Sequence, residues 1–376
     1  MTQTQQPERV HTHRRPGGRR LGPWLGAGAA LAVAAVAAVV LLSRGPDPQG
    51  ADTSAGATGP VAAGVPSGGT TTPSASAKPS ASAKPSAAAG NPLAGATFYG
   101  PNASAANQAR EWRAGRPADA AIMQKVADTP VATWFGDWNA DPASDVRTVV
   151  SAAAAEGRTA VLVAYNMPHR DCGGHSGGGA AGNADYRAWI TKFAAGVGDA
   201  RAVVILEPDA LAQLCGDVSA RYANLRYAVD RLSRTGAVTY LDAGHADWLS
   251  ATEMAARLKK AGVARARGFA LNVSNFVTTA ESGAYGESIA RRIGGSHGYV
   301  VDTSRNGRGP AGEWCNPPGR ALGARPTAAT KYKHADAYLW VKVVGESDGA
   351  CNGGPAAGQW MPEYALDLAK AAGWKA

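Results

Sequence analysis

The chain is poor in several things, and each shortage removes a class of function. Its 376 residues contain four cysteines and seven histidines, with no Cys-x-x-Cys and no His-x-x-x-His. A cysteine-rich zinc site therefore lacks its spacing, and no metal or other cofactor is expected. No Gly-x-Gly-x-x-Gly follows the first apolar run, and the Gly-rich stretch "GGHSGGGA" lacks the Gly-Lys-Ser/Thr of a phosphate loop. No basic run reaches five residues. The net charge of +9 is misleading as a whole, because residues 1–90 carry eight Lys/Arg against three acids, leaving 30 basic and 26 acidic residues beyond. A weakly charged domain of this kind gives nucleic-acid binding little support. No Ser-His-Asp pattern appears either.

Residues 45–90 contain no aromatic and almost no large aliphatic residue; they are mostly Ala, Ser, Thr, Pro and Gly, with the repeat "PSASAKPSASAKPS". Such a composition cannot build a core, so residues 44–90 are expected to be a disordered exported linker. Residues 1–20 are a basic segment with five arginines, expected on the cytoplasmic side. The uncharged run Leu21–Leu42 is long enough to span a bilayer. Residues 21–43 are thus a transmembrane signal-anchor or a cleavable signal peptide; "SRGPDPQG" after them offers no clear Ala-x-Ala site. Either way the remainder is exported, and it contacts the membrane only through this segment. Nothing in the linker resembles a carbohydrate-binding module, and a monomer is expected.

Residues 91–376 form the folded domain. Apolar runs alternate with helical periodicity: "TFYG", "PVATWFG", "TAVLVAYN", "AVVILEPD", "AVTYLDAG", "GFALNVSN", "GYVVDTS" and "AYLWVKVVG" are strand candidates, with segments such as "NADYRAWITKFAAGVG" between them. The alternation predicts an α/β fold, a distorted (β/α) barrel of seven to eight mostly parallel strands. An open doubly wound sheet is the structural alternative.

In such barrels function gathers where the strands end. Here those ends carry Trp134; Tyr165, Arg170 and Asp171; Glu207 and Asp209; Asp242 and His245; Asn272 and Asn275; and Lys342, Glu346 and Asp348. Each has a bland reading as well. Asp242 suits a turn or helix cap, Glu207 a buried partner of Arg170 or Lys342, and His245 a pocket wall. Trp189 and Trp374 fit helix faces as core residues, whereas Trp134, Trp248, Trp314 and Trp340 lie at or near strand ends and are candidates for stacking on sugars. Clustered carboxylates with aromatic walls point to glycoside hydrolysis, which needs one carboxyl protonated and another to activate water or attack the sugar. The even cysteine count in an exported chain allows three disulfide pairings. The sequential one, Cys172–Cys215 and Cys315–Cys351, closes the shortest loops and is expected.

The segments "AYNMPHRDCGGHSGGGA", "ILEPDAL", "YLDAGHADWL", "LNVSNF", "EWCNPPGRALG" and "LWVKVVGESDG", in this order, resemble family 6 of the glycoside hydrolases, the inverting cellulases. The resemblance covers about 285 residues. It implies hydrolysis of β-1,4-glucan with inversion and the same sequential disulfides. It makes Asp209 the general acid, Asp171 the neighbour that raises the acid's pKa, Tyr165 the residue crowding the distorted ring, and Asp348 the expected base. It places Trp134, Asp242, His245, Trp248, Asn275, Trp314, Lys342 and Glu346 at substrate-binding positions. Ser176 is the only serine available for a water chain, where some relatives have two. Short segments after Trp314 and around Asp348 imply an open cleft and internal cleavage rather than an exo-acting tunnel. A tethered, non-catalytic glucan-binding protein is the rival from another class, and the four aspartates Asp171, Asp209, Asp242 and Asp348 weigh against it.

Overall fold

The computed structural model describes residues 90–376. The basic segment, the apolar run and almost all of the linker lie outside the described residues. Among the described residues no helix is long and apolar enough to cross a membrane.

All eight strand candidates are strands: β1 (Phe98–Tyr99), β2 (Thr133–Phe135), β3 (Thr159–Ala164), β4 (Ala202–Leu206), β5 (Ala237–Asp242), β6 (Gly268–Leu271), β7 (Gly298–Asp302) and β8 (Ala335–Leu339). They pair in parallel in the order β1-β3-β4-β5-β6-β7-β8, with β2 also beside β3. The expected barrel is present, and its distortion has a location. No ladder joins β8 to β2; the backbone N–H of Ala132 donates to Trp340 O (2.9 Å) and Trp134 Nε1 to Val341 O (2.8 Å) across that seam. β8 begins earlier than its apolar run indicated and leaves the sheet at Leu339, so Trp340–Val344 runs on as loop.

The strands are apolar on both faces because both faces are covered. Val161, Val163, Val203, Ile205, Tyr240, Val300 and Leu339 fill the barrel interior. Their alternates Leu162, Val204, Leu206, Leu241, Phe269 and Val301 meet the helices. Those helices include α3 (Pro142–Ala155), α4 (Asn183–Val197), α5 (Val218–Leu232), α6 (Ala251–Lys260) and α7 (Thr279–Ile293). A third core brings α1 (Ala103–Trp112), α2 (Pro117–Ala127) and α8 (Pro362–Ala371) against Trp340, beside the seam. Trp340 is therefore not a sugar-stacking residue. It is 1% exposed, donates to Ala324 O and stacks on Trp374. Trp189 is also in the core.

Both expected disulfides form, Cys172–Cys215 and Cys315–Cys351, with Cα separations of 5.8 and 6.1 Å.

Candidate active site

A cleft of about 880 Å³ opens at the carboxyl ends of the strands. Trp134, Tyr165, Asp171, Ser176, Asp209, Trp248, Asn275, Trp314, Lys342, Glu346 and Asp348 all line it. Asp242 and His245 do not: both are buried behind the wall.

The chain turns sharply as β4 ends. Glu207 and Asp209, flanking Pro208, both take left-handed backbone conformations (φ 52° and 68°). Non-glycine residues reach that region at a cost, so the surroundings must hold them there. The Glu207 carboxylate does part of this by accepting the backbone N–H groups of Asn166 (3.0 Å) and Met167 (2.8 Å), which ties the end of β3 to β4. Its partners are thus backbone amides and not the Arg170 or Lys342 side chain suggested by sequence. Burial pushes its pKa up to about 7. Asp242 supplies the rest. Its Oδ2 accepts the N–H of Asp209 (2.9 Å) and of Gly244 (3.1 Å), so Asp242 is a turn acid that braces the backbone of Asp209.

Asp209 points into the cleft. Burial raises its carboxyl pKa well above the ordinary value, and repulsion from Asp242 and Asp171 adds to the shift. Beside it lies Tyr165, whose hydroxyl is within 2.9 Å of Ser176 Oγ. Ser176 in turn donates to Asp171 Oδ2 through both its backbone N–H (2.9 Å) and its hydroxyl (3.2 Å). Because a hydroxyl carries one proton, that geometry leaves Tyr165 as donor to Ser176. Tyr165 thus stands between Asp209 and Ser176, and Ser176 links it to Asp171. Arg170 braces the Gly-rich loop: it donates to Ser176 O (2.8 Å), Tyr165 O (3.0 Å) and Asp137 (2.8 Å).

Asp348 sits on the other side in different surroundings. Its carboxylate meets Arg305 at 2.8 Å and Lys342 at 3.6 Å, and accepts the N–H of Asn316. Burial raises its pKa, but Arg305 and Lys342 outweigh that and hold it below the usual carboxylate range. Lys342 is itself lowered by burial, and Glu346 is raised by burial. His245, lowered by burial, lies 4.3 Å from the Trp248 ring and supports it. Trp134 stands edge-on to Tyr165 at 5.2 Å, and Trp314 is held by Nε1 donating to Ser274 O.

Sequence reasoning missed Arg305, Asp302, Asn316 and Trp138. Asp302 closes β7 and accepts four backbone N–H groups, from Ser274, Ser304, Val341 and Lys342. The strand-end rule applied to "GYVVDTSRNG" would have found both Asp302 and Arg305. The one grouping of metal-type donors among the described residues, His175 with Cys315 and Cys351, has its two sulfurs bonded to each other.

A carboxyl whose pKa is pushed up by burial and by other carboxyls, in an aromatic-walled cleft at the strand ends of a parallel barrel, is the equipment of a glycoside hydrolase. The match at the level of sequence families is specific. The family model described as glycosyl hydrolases family 6 matches residues 93–372, and the chain belongs to that family. Endoglucanase A of Cellulomonas fimi is 51% identical over 270 residues, which is 70% of this chain and 59% of that protein. Endoglucanase 1 of Streptomyces halstedii is 44% identical over 278 residues, 70% of this chain and 86% of its own. Among solved structures, the endoglucanase Cel6 of Mycobacterium tuberculosis, in complex with methyl-cellobiosyl-4-deoxy-4-thio-β-D-cellobioside, aligns with a TM-score of 0.71 at 50% identity. That alignment covers 76% of this chain and all of the other.

Proposed function

We propose that the domain hydrolyses internal β-1,4-glucosidic bonds of cellulose and related β-glucans, with inversion at the anomeric carbon. The observation that carries this is the placing of Asp209 in the cleft beside Asp171 and Asp242, where burial and the two carboxyls push its pKa well above the ordinary value. Asp209 gives its proton to the glycosidic oxygen as the bond to the anomeric carbon breaks. Water attacks that carbon from the opposite face, and its proton leaves through Ser176 to Asp171. The family resemblance makes Asp348 the expected base. A carboxylate bound by two cations is a weak proton acceptor, so we place water activation on Asp171. We give Asp348 the task of holding fixed negative charge and orienting Lys342. Tyr165 crowds the ring at the reacting centre. Trp134, Trp248 and Trp314 offer stacking faces, and Asn275, Lys342 and Glu346 offer partners for hydroxyls. Asp242 and His245 serve substrate binding indirectly, through Asp209 and Trp248.

The names of the relatives support endo action over exo action. The basic residues 1–20, the apolar run of 21–43 and the composition of 44–90 support export of the domain, secreted or tethered to the outer face of the membrane. The experiment is carboxymethylcellulose hydrolysis, following viscosity and reducing ends together, with NMR of the first product. A steep early fall in viscosity and an initial α-anomer are expected. An initial β-anomer rejects inversion, and viscosity falling only in step with reducing ends rejects internal cleavage.

A further inference from the structure

Trp138, in "TWFGDWN" just after β2, takes no part in the reaction steps assigned to Asp209, Ser176 and Asp171. It is the most open large apolar side chain among the described residues, 54% exposed, and it lines the cleft. It is nevertheless fixed in place. The Arg170 guanidinium lies 5.2 Å from the ring, with the Tyr165 ring 4.8 Å from the same guanidinium. The Trp138 ring also lies close over Gly136, where a Cβ would fall 2.4 Å from it, so only glycine leaves room. Arg170 cannot drift, since Asp137, Tyr165 O and Ser176 O hold it. An exposed aromatic already confined to one position loses little entropy when a ligand lands on it. Beside it the half-open carboxylate of Asp137 takes one bond from Arg170 and one from the Gly179 N–H. That leaves acceptor capacity for a hydroxyl.

We propose that Trp138 is a further glucosyl-binding platform, continuing the cleft past Arg170 from the Trp134–Tyr165 pair, with the Asp137 carboxylate taking a hydroxyl of the same sugar. The occupant is an outer unit of the glucan chain already lying in the cleft, because the platform is continuous with that cleft. An apolar ring edged by a carboxylate also matches the apolar face and hydroxyl rim of a pyranose. The proposal rests on the hydrolase reading and deepens it.

The test compares wild type, Trp138→Ala and Trp138→Phe on cello-oligosaccharides from cellotriose to cellohexaose. In Trp138→Ala the ratio of kcat/KM for cellohexaose to that for the shortest oligomer cleaved should fall roughly 3- to 10-fold, the scale of one aromatic contact. The change should lie in KM, and Trp138→Phe should recover most of it. In an Asp209→Asn background, calorimetric binding of cellohexaose should weaken by the same factor when Trp138→Ala is added. An unchanged ratio overturns the platform. So does an equal loss at every length, which would make Trp138 only a prop for Arg170. No cleavage by wild type at any length, with Trp138-dependent binding retained, would overturn the hydrolase reading and support the platform.

Discussion

The backbone N–H of Asp209 donates to the side chain of Asp242 at 2.9 Å, so the acid's main chain is held by the carboxylate that also repels its side chain. One residue thus braces the acid's left-handed turn and, after burial, adds to the upward push on its pKa. Asp242 is itself raised by burial to about 7. Asp242→Asn keeps an acceptor for the Asp209 N–H and removes the charge. With less repulsion the Asp209 pKa falls. The general acid is then lost at lower pH, and the basic limb of the kcat/KM profile should move to lower pH. A limb that stays in place, measured on a soluble glucan, would show that Asp242 acts only on geometry.

Asp209→Asn removes the proton donor. General acid catalysis typically contributes about 10²–10⁴-fold, and cellulose turnover should fall by that order. An aryl cellobioside with a good leaving group needs less protonation and should lose far less. Equal losses on both substrates would assign Asp209 another task.

Asp171 and Asp348 make a decisive pair. Asp171→Asn should lower kcat by about 10²-fold or more while melting near wild type, because an amide oxygen still accepts from Ser176. Asp348→Asn leaves Arg305 and Lys342 without their anion in a buried site. Stability should drop by roughly 3–5 kcal/mol, visible in thermal melts. If Asp348→Asn, assayed while folded, loses all turnover and Asp171→Asn keeps a tenth or more, the base is Asp348.

The second disulfide fixes more than the chain. Asn316 follows Cys315. Its backbone N–H donates to the Asp348 carboxylate, and its side chain reaches Cys351 O and Gly349 O. Replacing Cys315 and Cys351 together by serine should cost roughly 2–5 kcal/mol. It should also lower activity per folded molecule, with folding followed by near-UV circular dichroism. Full activity per folded molecule would reduce the bridge to a stability element.

Much of this arrangement follows from sequence alone. Both faces of a parallel barrel strand are buried, so the strands appear as plain apolar runs, and all eight were legible. Polar residues at the ends of such runs have few structural uses, which brought Asp171, Asp209, Asp348 and the cleft tryptophans to notice. Sequential disulfides follow from short loops and from the family resemblance. What sequence could not settle was each group's surroundings. Asp348 and Arg305 lie 43 residues apart in sequence and 2.8 Å apart in space. Trp134 and Trp340 both lie beside strand ends, yet one lines the cleft and the other is packed beneath α8. Asp209 and Asp348 are the same residue type at similar stations, but one is pushed up by burial and carboxyl neighbours and the other down by two cations. Sequence period fixes which side chains share a face. Only tertiary packing decides what that face meets, and a carboxyl's charge depends on its neighbours, which come here from other strands.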